Sequence, residues 1–352
     1  MPQEDPRFEA ANLAELEGRY DNGGMTKLLP AIALCLVATY ARAWSEQGHH
    51  IVALIAFDLQ DEATQQWLLD LLTHHPRFEQ DFRVPPNATE ADRYRIGRAA
   101  YWPDVARRQR RYNRPTWHYQ LGATRVVGDP SKVSVHQTPG PLPADATLDT
   151  RDLYIAQAID LCRKVMGDSE ATKPDRAIAL CWIGHLVGDA HQPCHAGSLY
   201  VEGLFPEGDR GANEIKTRQS GNLHALWDGL LGRRFDEGDV ERRRESIVNG
   251  DGVKPFKRLL QRRVKDPPLK WLMESRKFGI SEVYDPEVLR PIQAVVDGKA
   301  ETLPQLDLSD AYLKQAGAMA RMRALFAGYR LGEVWRSELA RASSRQAAGI
   351  GN

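Results

Sequence analysis

The chain has 352 residues, 42% of them hydrophobic and 27% charged, which is enough apolar content for a packed globular core. Lysine plus arginine and aspartate plus glutamate both number 47, so the formal net charge is zero. That balance excludes a global basic field able to grip duplex nucleic acid, and any polyanion must be held by local charge.

The first stretch of chain reads differently from the rest. Residues 1–24 are polar and precede a second start at Met25, which reads as a mis-set translation start with no role in folding. Residues 25–43 read as a signal peptide. Lys27 supplies the positive end, residues 28–39 form the apolar run, and Ala41-Arg42-Ala43 is a small-x-small cleavage site. The run is shorter than the roughly 20 residues a bilayer span requires, so no membrane anchor is expected after cleavage. The mature chain would begin at Trp44, in the periplasm or outside the cell. Cys35 leaves with the signal. Cys162, Cys181 and Cys194 remain, which permits one disulfide with one thiol left over. No CxxC spacing exists, which argues against a thiolate zinc site.

Helical periodicity dominates the mature chain. Residues 51–72 place Leu54, Phe57, Trp67, Leu68 and Leu71 at helical spacings, and residues 153–165 repeat the pattern with Ile155, Ile159 and Cys162. Residues 177–190 are more apolar and predict a buried helix. Residues 223–231 predict a short one. Residues 313–341 predict a long helix with alanine, methionine and leucine on one face and arginines on the other. Proline and glycine mark loops at 76–90, 122–148, 196–220 and 250–268. Strand-like alternation is scarce. The expectation is an all-α fold, one mainly helical domain over residues 44–352.

Four constellations carry chemistry. His185 and Asp189 are four residues apart on the apolar helix and so share a face; Pro193 then lets the chain swing His195 round. A single such pair is ordinarily a buried ion pair. His224 and Asp228 repeat the spacing on a second helix, which a chance arrangement rarely does. Tyr101-Trp-Pro-Asp104-Val-Ala-Arg107, followed by Trp117-His118-Tyr119, brings an aspartate, an arginine and a histidine through what reads as an arginine-rich loop. Trp44-Ser-Glu-Gln-Gly48-His49 stands at the expected new N-terminus, where a free α-amine with a pKa of about 7.7–8.0 is a good nitrogen ligand. Imidazole and carboxylate are the ligands zinc takes when thiolates are absent.

In this order, Trp-x-x-x-Gly-His, Trp-x-Asp-x-x-Arg, His-Tyr, His-x-x-x-Asp-x-x-x-x-x-His and Asn-Leu-His-x-x-x-Asp resemble the zinc-dependent single-strand-specific nucleases, a family of fungal, plant and bacterial enzymes that shares its fold with zinc phospholipase C. Gly208-Asp-Arg-Gly-Ala-Asn213 is similar to that family's glycine-rich loop. The resemblance implies three zinc ions. One would take Asp104, His118, His185 and Asp189, a second the Trp44 amine and carbonyl with His49 and Asp189, and a third His195, His224 and Asp228. It further implies a metal-activated hydroxide attacking phosphorus in line, Arg107 on the phosphate, a base stacked on Tyr119, and 5′-phosphate products. The implied substrates are single-stranded DNA, RNA and 3′-nucleotides; no protein partner is implied. Leu121 departs from the family's fungal members, which carry an aspartate there to read the base edge.

The remaining candidates stay outside this set. His50, His74, His75 and His136 read as surface or structural histidines, and Trp182 and Trp227 as core. His191 reads as a residue that orients a carboxylate ligand, and Cys194 as inert packing. The stretch 108–114 reads as a solvated basic face, with tracking of a phosphate chain as the alternative. Two other functions remain open. A zinc phospholipase C would carry glutamate in place of Asp228, and an apolar lipid-facing rim. A non-catalytic zinc- or haem-binding helical protein would close its sites to water.

Overall fold

The structure, a computed structural model, describes residues 44–250 and 264–349, with the side chains of 345–349 left aside. The expected signal segment, the polar stretch before it and most of the loop at 250–268 lie outside the described residues. The described residues fall in one contact unit.

The first predicted helix is broken in two. Helix α1 (Glu46–Asp58) ends at Leu59, and Asp61 starts α2 (Glu62–Thr73) by accepting a hydrogen bond from the Thr64 amide. An aspartate able to cap a helix start outweighs a continuous apolar pattern. A short turn, α3 (Phe78–Asp81), lies inside the expected loop at 76–90. Helix α4 (Ala91–Ala106) follows and contains Pro103. The Tyr101-to-Arg107 motif is therefore helical almost to its end rather than a loop. A proline late in a helix removes one backbone bond there, which loosens the last turn that carries Asp104.

Helices α5 (Ile155–Met166) and α6 (Lys173–Ala190) pack against each other, and α6 is buried from Ala177 to Ala190. It is the axis of the molecule, in contact with α1, α2, α4 and α5. A short α7 (Pro193–Ala196) follows directly, so Pro193 opens this turn rather than ending α6, which stops at Ala190. Helices α8 (Leu223–Asp228), α9 (Glu237–Asn249), α10 (Pro268–Phe278) and α11 (Pro286–Val296) lead to the long α12 (Asp310–Gly349). Among the described residues none of these helices is long and apolar enough to cross a membrane.

The fold is mainly helical, as expected, with one addition. Strands β1 (Gly122–Val127) and β2 (Gly197–Val201) pair in parallel, Gly122 opposite Gly197 and Val127 opposite Val201, inside two stretches expected to be loops. Glycine is required at the pairing start: a Cβ on Gly197 would come within 2.1 Å of Thr124 Oγ1.

A main core gathers Trp44 and side chains of α1, α2, α4, α5, α6 and α12; a second gathers β2, α8, α11 and the start of α12. In the main core α1 and α12 approach closely at Gly328, where an added Cβ would stand 2.4 Å from Ile55 Cγ2 and 3.2 Å from the Val52 carbonyl. Gly328→Ala is expected to destabilise the fold by about 1–3 kcal/mol, the range for overpacking a filled core. Urea unfolding checks this, and a variant as stable as the parent would contradict the packing.

Candidate metal centre

The sequence candidates enter the site from different elements. Trp44 precedes α1, and its indole N–H donates to the Gly188 carbonyl at 3.1 Å, one residue before Asp189. His49 lies in α1, Asp104 in the last turn of α4, His118 at the end of a 3-10 turn (Pro115–His118) and His185 and Asp189 in α6. His195 lies in α7, and His224 and Asp228 in α8. The strand pair brings the distant segments together. Gln120 N donates to the His195 carbonyl at 2.9 Å, and His195 Nδ1 donates to the His118 carbonyl at 2.6 Å, just before β1 and β2 begin.

Nitrogen and oxygen atoms converge in three groups: His49 with His185 and Asp189, Asp104 with His118 and His185, and His195 with His224 and Asp228. In the heart of the site His185 Nε2 is 2.9 Å from His118 Nδ1 and 3.2 Å from Asp189 Oδ2, while His118 Nδ1 is 3.1 Å from that same oxygen. His49 Nε2 stands 3.5 Å from the other oxygen, Asp189 Oδ1. In the third group the two Nε2 atoms of His195 and His224 are 3.1 Å apart, and Asp228 lies 3.8 Å and 3.4 Å from them. His195 Nδ1 is 4.0 Å from Asp189 Oδ2, so the groups adjoin.

These spacings test whether the residues suit a cation. Ligands about 2.0–2.1 Å from a tetrahedral zinc stand roughly 3.3 Å from one another, close to the separations here. Nitrogen and oxygen atoms facing each other at such distances, fully buried, need either protons between them or a shared cation. Both nitrogens of His49, both oxygens of Asp104, His118 Nε2 and Asp189 Oδ1 make no hydrogen bond. Buried polar atoms left so require a partner, and a divalent cation supplies one. The donor set is nitrogen and oxygen without thiolate, which fits zinc.

The second layer of contacts fixes which nitrogen faces inward. A carbonyl can only accept, so Nδ1 of His185 donates to the Ala100 carbonyl at 2.9 Å and Nδ1 of His224 to the Gly211 carbonyl at 2.6 Å. Their Nε2 lone pairs are thereby turned into the site. Gln192 donates to Asp228 Oδ1 at 2.7 Å. Arg107 Nε lies 2.8 Å from Asp104 Oδ1, a pairing of charges outside hydrogen-bond geometry.

The electrostatics divide the histidines. Burial, followed by the nearby positive groups His185 for His49 and Arg107 for His118, pushes both imidazoles down, His118 to about 3, so both are neutral donors. Burial also opposes charge on His195 and His185. There the carboxylates win: Asp228 and Asp189 hold His195 up at about 9, and Asp189 and Asp104 raise His185. These carboxylates call for positive charge, which a metal would supply in place of the protons. Burial pushes Asp189 up, but the His185 charge and hydrogen bonds from His118 and His185 hold it well below the usual range.

Other expectations change. His191 touches no carboxylate ligand. Its Nδ1 donates to the Val187 carbonyl at 2.7 Å and its Nε2 accepts from Arg330 at 2.8 Å. Nothing in the pattern of α12 marked Arg323 and Arg330, both fully buried, although its arginines were expected on the face opposite the apolar one. Arg323 donates to the His191 carbonyl and to Ser275 Oγ, and Ser275 donates to the Ala190 carbonyl, so the end of α6 is held from behind. Arg330 pairs with Glu274. His50 and His75 are buried among aromatic rings, His136 is exposed, and none of them joins the site. Arg114 is buried on Trp117 and bonded to the Leu148 carbonyl, not solvated. The three cysteines are free, buried thiols, so the permitted disulfide does not form.

Fold and centre together define a helical protein with clustered histidine–carboxylate donors suited to divalent cations. A family model described as S1/P1 Nuclease matches residues 44–339, and the chain belongs to that family. Three proteins of Arabidopsis thaliana are similar to it. Endonuclease 3 is 23% identical over 212 residues, 58% of this chain and 60% of the relative. Endonuclease 4 is 25% identical over 201 residues, 54% and 56% of the two chains, and Endonuclease 1 is 24% identical over 208 residues, 57% of each. The chain thus spans under two thirds of the length of each of these relatives.

The contact from Gln192 has a measurable consequence. Gln192→Leu removes the donor that fixes Asp228 and is expected to weaken metal at the His195–His224–Asp228 group by about 10–100-fold. Competition with a chelator reads this directly, and unchanged affinity would deny Gln192 its orienting role.

Proposed function

We propose that this chain is an exported zinc-dependent phosphodiesterase, cutting single-stranded DNA and RNA to 5′-phosphate products and removing the phosphate from 3′-nucleotides. The observation that carries the reading is Asp189, a buried carboxylate with one oxygen toward His49 and the other toward His118 and His185. A carboxylate faced by imidazoles on both oxygens suits two cations side by side, the arrangement used in metal-assisted phosphoryl hydrolysis.

One zinc would be held by Asp104, His118, His185 and Asp189, a second by Trp44, His49 and Asp189, and a third by His195, His224 and Asp228. Bound there, zinc supplies Lewis acidity toward phosphoryl oxygens and lowers the pKa of water. The chain's own residues do the rest. Arg107, beside Asp104 and mostly buried, offsets phosphate charge as phosphorus is attacked. Tyr119 follows His118 directly, is half-buried with its edge toward Tyr154, and offers a ring for a base. Stacking is worth about 1–3 kcal/mol per base and needs an unpaired strand, which supports single-strand preference. Leu121 offers no hydrogen bond to a base edge, so stacking there does not distinguish bases.

Asp228 in place of glutamate speaks against the phospholipase C reading. Proteins that close their metals off structurally do not need one carboxylate spread between two cation groups.

The decisive test is metal analysis of protein starting at Trp44, together with assays on single-stranded DNA, RNA and a 3′-nucleotide. Zinc at all three groups with 5′-phosphate products is expected. Zinc-loaded protein inert toward all these substrates would sink the proposal. Asp189→Asn is expected to lower the rate by roughly 10²–10³-fold or more, the scale for loss of a preorganised charged group. His136→Ala, on the exposed loop, is expected to leave it unchanged. Equal losses would point away from this centre.

Processing before Trp44 forms part of the same reading. An amide nitrogen is a very poor zinc ligand, whereas a free α-amine, with a pKa of about 7.7–8.0, binds in its neutral form. Protein with one extra alanine before Trp44 is expected to lose the zinc shared by His49 and Asp189 and most of its rate. Full activity and full zinc content in that protein would rule out the amine.

A further inference from the structure

Residues 208–213 form a turn whose backbone is left-handed almost throughout: Gly208 at φ +89°, Arg210 at +57°, Gly211 at +65° and Ala212 at +67°. Left-handed positions go by default to glycine, and among other residues most readily to asparagine. Gly203, Gly221 and Gly298 fill such positions elsewhere in this chain, and Arg210 and Ala212 are the exceptions among the described residues.

The turn is built from below. Asp209 is fully buried and accepts hydrogen bonds from the Leu199 amide at 3.1 Å and the Tyr284 hydroxyl at 2.7 Å. The Gly211 amide donates to Ser198 Oγ at 2.8 Å, and Asn213 Nδ2 donates to the Arg210 carbonyl at 2.8 Å. The turn lies against the site. The Gly211 carbonyl accepts from His224, and a Cβ on Gly211 would stand 2.2 Å from the Cys194 carbonyl and 3.2 Å from Leu121 Cδ2. Of residues 208–212 only Arg210 is exposed. Its guanidinium enters no ion pair or hydrogen bond among the described residues, and its charge reaches the Tyr119 phenol. Many other arginines of the described chain are ion-paired, including Arg93, Arg98, Arg107 and Arg244.

The left-handed backbone at Gly211 and Ala212 sets the Gly211 carbonyl that orients His224, which accounts for the strain at Ala212. The strain at Arg210 is not so accounted for, since glycine there would give the same turn with less of it. What the arginine adds is one unpaired cation, on a hydrogen-bonded base, next to the carbonyl that orients His224 and within charge reach of Tyr119. We infer that Arg210 is a substrate-binding residue that holds a backbone phosphate of the strand beside the His195–His224–Asp228 group. The inference rests on the proposed nucleic-acid substrate. With a net charge of zero overall, such a contact must be made by single placed cations rather than by a diffuse field.

Arg210→Gly separates this role from a structural one, because it removes the cation and relieves the backbone together. The zinc-loaded variant is expected to melt at or above the temperature of the parent, with the same zinc content. Its affinity for a fluorescein-labelled, cleavage-resistant phosphorothioate oligothymidylate is expected to fall about tenfold. The slope of log Kd against log salt should drop by about 0.7, the value for one phosphate contact on a single strand. Arg210→Lys should keep most of the slope. An unchanged slope and affinity in Arg210→Gly, with the parent binding the oligonucleotide, would overturn the inference. If the parent itself neither binds nor cleaves single strands, the proposed function fails instead.

Discussion

Burying an ionised carboxylate costs several kcal/mol unless other charges and hydrogen bonds return it, and Asp189 has no exposure at all. Much of the architecture serves that one group. Helix α6 carries it together with His185, α1 brings His49, and the segment before β1 brings His118. Trp44 seals it by bonding to the neighbouring Gly188 carbonyl, and α12 and α10 reach the far end of the same helix through Arg323 and Ser275. Glycine at 188 leaves room for this: a Cβ there would stand 3.1 Å from His49 Nδ1. Side chains far apart in sequence thus share one electrostatic debt, and a cation settles it most directly.

The grouping of these histidines and carboxylates was partly legible in the sequence because helices restrict spacing. His185 with Asp189 and His224 with Asp228 sit on helices and needed only the four-residue period to be seen. Asp104 and His118 could be named through family resemblance, but Asp104 arrives by α4 packing on α6, and His118 meets His195 where β1 and β2, over seventy residues apart, begin to pair. Short glycine-bounded strands carry little periodicity, so both were read as loops. The break between α1 and α2 escaped for a similar reason: the apolar pattern runs on through Asp61, and only the capping bond stops the helix.

Burial of charge was the least legible property. Arg323 and Arg330 look like part of a solvated arginine face when α12 is drawn as an isolated helix. In the molecule they close onto the His191 carbonyl, the His191 ring and Glu274. His191 suffers the matching reversal, because its partners come from α6 itself and from α12 rather than from a ligand. Sequence periodicity gives the side of a helix, whereas burial depends on what another helix brings to it.

Cys194 precedes His195, and its sulfur is the softest donor near the third group. Burial, and after it the charges of Asp228 and Asp209, push this thiol well above its usual range. A protonated thiol is a poor metal ligand. Among the described residues no cysteine joins the three groups, whose donors are nitrogen and oxygen alone. Thiolates favour softer ions such as copper(I), and a nitrogen and oxygen donor set does not. The sulfur belongs to the core around β2 and α8, while imidazoles and carboxylates face inward.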